Sequence, residues 1–107
     1  MQSEEMVFLG PSVADTYGNY PNPFHPGQES TTIEFYLQSA STVSLVLYDV
    51  TGNRTATLLN NQNLPSGLQR ILWDGRNGLG VFVLNGVYYS QLTVNGQKYL
   101  VKIAVVK

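Results

Sequence analysis

The sequence predicts an all-β fold, an antiparallel β-sandwich of about seven short strands. Three observations carry this. Apolar residues alternate with a period of two from Thr31 onward. Turns rich in glycine, proline and asparagine separate the alternating runs. No window shows helical spacing with caps, so two packed sheets are the economical way to bury the apolar faces.

The elements follow in order. Met6–Leu9 is a short apolar piece, read as an edge strand or the remnant of a linker. Residues 10–27 hold Pro11, Pro21, Pro23, Pro26 and three glycines. Proline removes a donor and fixes φ, so this stretch reads as an extended, irregular lead-in and not as a ladder strand. In Thr31–Leu37, Ile33, Phe35 and Leu37 share the inward face. In Thr42–Val50 that face is Val43, Leu45 and Leu47. Asp49 is placed to hold the Val50-Thr51-Gly52-Asn53 turn by its backbone.

A weaker strand runs through Arg54–Leu59, and a neutral loop, Asn60–Gly67, follows it. Leu68–Trp73 places Gln69, Ile71 and Trp73 on one face. Three glycines in Asp74–Gly80 require a tight turn, with Gly75, Gly78 and Gly80 supplying positive φ. Val81–Leu84 reads as a short strand broken at Asn85-Gly86. Val87–Val94 and Gln97–Val106 flank Asn95-Gly96, the strongest local hairpin signal. Their inward sets are Tyr88, Leu92 and Val94, and Tyr99, Val101, Ile103 and Val105.

Composition bounds the chemistry. The chain has 107 residues, enough for one domain with a real core. It has no cysteine, so a disulfide framework and thiolate metal sites are excluded. One histidine and a net charge of −1 argue against a zinc enzyme and against nucleic-acid binding. Charged residues make up only 12%, about half the usual share. None lies between Arg54 and Arg70 or between Arg76 and Lys98. Ser, Thr, Asn and Gln must coat those surfaces, a style common in exported proteins. The longest apolar runs are of four residues, so no transmembrane segment is expected. No cofactor is implied.

Tyr20-Pro21-Asn22-Pro23-Phe24 precedes the Thr31–Leu37 strand, and Val43-x-Leu45-x-Leu47-Tyr48-Asp49-Val50-x-Gly52 comes next. Gly67, then Trp73-Asp74-Gly75-Arg76, then Gly80 and Gly86-Val87-Tyr88 follow, and Lys102–Lys107 closes the series. No single motif is specific, but their order and spacing together resemble the C-terminal sorting domains of the type IX secretion system. They also resemble the related immunoglobulin-like domain of the flagellar hook-capping protein.

The resemblance implies an immunoglobulin-like sandwich over 20–107, with 1–19 as linker or the end of a preceding module. It implies a non-catalytic domain covalently attached to an upstream cargo, usually an enzyme or adhesin of a Bacteroidetes-type bacterium. The partner would be the outer-membrane secretion machinery and the destination the cell surface. Ser90 and Gln91 depart from the family, which more often has an aromatic and a basic residue there.

Each candidate has a plain structural reading beside the functional one. Tyr20, Pro21, Asn22, Pro23 and Phe24 either form a sorting epitope or rigidify an approach strand whose rings plug the sandwich. Lys98, Lys102 and Lys107 on the final strand either mark what a translocon reads by edge pairing or keep a terminal edge soluble. Asp49, Gly52, Trp73, Asp74, Gly75, Gly80, Gly86 and Tyr88 are structural motif positions. Asp74 and Asn77 near glycines lack the further acidic ligands of a calcium loop, so Asp74 reads as a turn cap.

Outward Tyr36, Tyr48 and Tyr89 offer glycan contacts, which gives the alternative reading of a carbohydrate-binding or spacer module. A third reading, a subunit of a hook-cap-like assembly, predicts self-association. Catalysis finds no support. His25 sits alone in a Pro/Gly segment, and Asp15, Glu29, Glu34, Asp49 and Asp74 show no acid/base pairing.

Overall fold

A computed structural model describes residues 11–107. The Met6–Leu9 piece and the first ten positions of the 1–19 segment lie outside the described residues. A four-residue helix, α1 (Val13–Thr16), is followed by β1 (Gly18–Tyr20), β2 (Thr31–Leu37), β3 (Ser41–Tyr48), β4 (Arg54–Leu64), β5 (Gly67–Trp73), β6 (Gly86–Val94) and β7 (Gln97–Val105). One sheet has the order β1-β2-β5 and the other β4-β3-β6-β7. Every strand pair is antiparallel. The described residues form the expected all-β sandwich, of seven strands in an immunoglobulin-type order with the fourth strand beside the third.

The core is the inner face of both sheets. Ile33, Phe35 and Leu37 from β2 meet Val43, Leu45 and Leu47 from β3, with Leu92, Ile103 and Val105 behind them. All of these are essentially inaccessible to water, as the period of two requires. The hairpin between β6 and β7 turns at Asn95 (φ 47°) and Gly96 (φ 88°). Two successive positive φ values suit the right-handed strand twist, which is why Asn-Gly occupies the position.

Four expectations need correction. First, the lead-in is not wholly irregular. Ser12 caps α1 by accepting from the Asp15 N–H, and Gly18–Tyr20 pairs with β2. The proline pattern masks these pieces because they are only four and three residues long. Second, β4 does not stop at Leu59 but runs eleven residues to Leu64. Its second half pairs with β3 through side chains as well as backbone: Thr42 Oγ1 donates to Asn63 Oδ1, and the Asn61 N–H to Ser44 Oγ.

Asn61 takes φ 47° at a register shift, a conformation asparagine tolerates. A strand built on Asn-Asn-Gln-Asn has no apolar alternation to announce it. Third, Val81–Leu84 is no strand; a lone bridge joins Arg76 to Phe82, and Val83 hangs from the Gly75 carbonyl. Fourth, Gly75 and Gly80 have positive φ but Gly78 does not.

Candidate functional site

The Tyr20–Phe24 motif is fastened to the last strand. Both of its prolyl bonds are cis. Between the two prolines, Asn22 turns its side chain onto the outer edge of β7. Its Nδ2 donates to the Lys102 carbonyl at 3.1 Å, and its Oδ1 accepts from the Ala104 N–H at 2.8 Å. Phe24 continues the contact with backbone. Its N–H donates to the Ala104 carbonyl, and its carbonyl accepts from the Val106 N–H, forming a parallel bridge with Val105. His25 Nδ1 then lies 2.6 Å from the Val106 carbonyl. His25 is exposed, as a loop residue should be, but it is not unattached.

The rings divide. Phe24 is buried completely, its ring centroid 5.4 Å from that of Trp73, whereas Tyr20 is 81% exposed. Only Phe24 plugs the sandwich. Trp73 in turn packs against Tyr88 and donates Nε1–H to the Arg76 carbonyl. The turn after it is tight because Gly75 (φ 90°) passes under the lead-in. A Cβ there would stand 2.6 Å from the Pro26 ring.

Asp74 Oδ1 caps this turn by accepting from the Arg76 N–H. Asn77 Oδ1 accepts from both the Leu79 and Val81 N–H groups. These oxygens therefore serve the loop backbone. Asp49 does the same for the β3–β4 turn, taking the N–H groups of Thr51 and Asn53 and the Thr51 hydroxyl on one oxygen. Those bonds, the Thr51 hydroxyl first, hold its carboxyl below the ordinary carboxylate range. Gly52 (φ 87°) closes that turn, and Gly86 opens β6.

Lys98 and Lys102 stand on the outer face of the large sheet, opposite Thr93 and Tyr89 on β6. The Lys107 N–H donates to Asn85 Oδ1, tying the last residue to the β5–β6 loop. The tyrosine trio separates. Tyr48 and Tyr89 are direct cross-strand partners on the large sheet, while Tyr36 is on the small one. A single platform of three rings does not exist.

Tyr17 was not singled out from the sequence. Its ring meets Phe35 edge-on at 6.4 Å, and its hydroxyl donates to the Ser90 carbonyl and contacts Ser90 Oγ. Burial pushes this phenol well above its ordinary pKa, partly offset by the Ser90 bond. Ser90 itself is wholly buried. Its hydroxyl faces the Tyr17 phenol in the interior.

No helix of the described residues is long and apolar enough to cross a membrane. Among them, no group of three or more His, Asp or Glu side chains converges as a metal site.

No protein-family model and no curated protein sequence matches the chain. Solved structures do. PorU of Porphyromonas gingivalis, described as dimeric and latent, superposes with a TM-score of 0.67 at 26% identity over 85% of this chain. PorZ of the same bacterium, described as an essential surface component of the type IX secretion system, superposes with a TM-score of 0.61 at 23% identity over 89%. The chain spans about a tenth of each, 9% of PorU and 12% of PorZ. It is a β-sandwich related to domains of type IX secretion components, as the order of its motifs suggested.

Proposed function

We propose that this sandwich is the non-catalytic sorting module of an exported protein. In this reading it directs a covalently attached upstream cargo through the outer-membrane secretion machinery to the cell surface. The observation that carries the reading is the junction of Tyr20–His25 with Lys102–Val106. It joins two segments that the sequence offers as recognition candidates into one surface, within a fold similar to those of type IX components.

Edge pairing is a physically sound recognition mode for such a surface. In this protein the edge from Lys102 onward is already occupied by Asn22 and Phe24. A receptor therefore meets a finished, side-chain-decorated edge and not bare backbone. The polar, sparsely charged coat suits a module that carries other chemistry without performing any.

Fusion of the full chain to a periplasmic reporter, in a bacterium that has the machinery, tests this. The reporter is expected at the surface. Retention in the periplasm, equal to that of a fusion with scrambled order, would reject the reading.

A further inference from the structure

The outer face of the small sheet carries a cleft of about 530 Å³ that Asn22, Phe24 and His25 do not line. It arises from a missing side chain. Gly18 on β1 stands opposite Glu34 on β2, and a Cβ at Gly18 would meet nothing within 4 Å. The strand thus leaves a notch between Thr16 and Tyr20. Across the sheet, Glu34 is opposite Arg70, and with Thr32 beside them the cleft has a polar floor.

On that floor Arg70 Nε donates to Glu34 Oε2 at 2.7 Å. The contact uses one of the guanidinium's five donors and one of the carboxylate's two oxygens. The Arg70 side chain is 64% exposed and that of Glu34 42%, so the pair adds little to stability. What it offers is a donor group and an acceptor group side by side in a recess. Tyr20, the most exposed aromatic of the described residues, lines the same recess.

This is the chemistry of a sugar. Two neighbouring ring hydroxyls can be met at once, one donating to the carboxylate and the other accepting from the guanidinium. The C–H face of the pyranose packs on an exposed aromatic. The pair carries no net charge, so a charged ligand would find one partner attractive and the other repulsive. We propose that the Tyr20, Glu34 and Arg70 cleft binds a neutral hexopyranose unit of a polysaccharide. The site shares Tyr20 with the sorting motif but none of the Asn22, Phe24 and His25 contacts that fasten that motif to β7, and it differs from the tyrosine trio that the sequence suggested.

Affinity electrophoresis of the full chain tests it, in native gels cast with dextran, a mixed-linkage β-glucan, an α-mannan or a galactan. Retardation is expected in at least one gel. It should weaken about tenfold in Tyr20→Ala and in Arg70→Ala, the scale of losing one ring contact or one charged hydrogen bond. Tyr89→Ala, on the other sheet, should migrate as the unaltered chain does. All three substitutions are on outward faces, and equal urea midpoints confirm that the fold is intact. Unretarded migration in all four gels overturns the proposal. So does retardation that survives Tyr20→Ala and Arg70→Ala but falls with Tyr89→Ala.

Discussion

Asn22 stands in for a strand residue beside Ala104. Its amide oxygen accepts from the Ala104 N–H at 2.8 Å, while its amide nitrogen reaches the Lys102 carbonyl at 3.1 Å. The side chain reproduces the donor–acceptor pair that a neighbouring backbone would present. Proline on either side explains why it must, since neither proline has an N–H to offer.

Asn22→Ala should therefore lower stability by about 1 kcal/mol in urea denaturation, the worth of a typical hydrogen-bond pair with partial solvent replacement. Hydrogen exchange at the Ala104 amide should accelerate with it. Unchanged exchange at Ala104 would show that the contact does not close the edge.

Phe24→Ala removes a ring that is wholly buried against Trp73, and a cost of about 3–5 kcal/mol is expected. Trp73 is the only tryptophan, so its fluorescence reports the change directly. A red-shifted emission at low urea would confirm that water has reached the indole. An unshifted spectrum with wild-type stability would contradict the packing.

The Asp49 carboxyl titrates below its ordinary value of 3.8 because the Thr51 hydroxyl and the Asn53 N–H bond its charged form. A depressed folded pKa adds stability above the unfolded value, and this is lost as pH falls through the folded one. Stability should therefore decline on acidification below pH about 4. Asp49→Asn, which keeps an acceptor but has no proton to gain, should flatten that limb. An identical acid profile in the variant would assign the decline elsewhere.

Tyr17 has the opposite sign. Burial raises its folded pKa above the ordinary 10.0, so its contribution is complete below that value and lost as pH rises past it. Alkaline unfolding should set in above pH about 10. Tyr17→Phe should make that limb shallower, yet cost about 1–3 kcal/mol at neutral pH by leaving the buried Ser90 groups without their partner. Alkaline unfolding unchanged in Tyr17→Phe would clear this phenol of the role.

What could be read in advance follows from what alternation encodes. Ile33, Phe35 and Leu37, like Val43, Leu45 and Leu47, declare a buried face, and Asn95-Gly96 declares a hairpin. Alternation says which face a residue takes within its strand but not which sheet the strand joins. Tyr36 was therefore grouped with Tyr48 and Tyr89, although strand order puts it in the other sheet.

Polar ladders are silent to the same reading. Asn60–Asn63 extends β4 through hydroxyl–amide pairs that no hydrophobic pattern marks. The cleft at Gly18 was also hidden, since it depends on a side chain that is absent and on register with Glu34. The role of Asn22 needed three dimensions, because its partners lie 80 and 82 residues away.

That separation sets the order in which the molecule can become whole. A chain emerging from its N-terminal side presents Asn22 and Phe24 early, and the strand that receives them, β7, is the last of those described. Until Lys102–Val106 arrives, Phe24 lacks its neighbour on β7 and the sandwich stays unsealed, as non-local pairing delays closure. The sandwich thus closes only once β7 is in place. A chain stopped at Leu100 should be digested by protease far faster than the full one, and equal resistance would refute it.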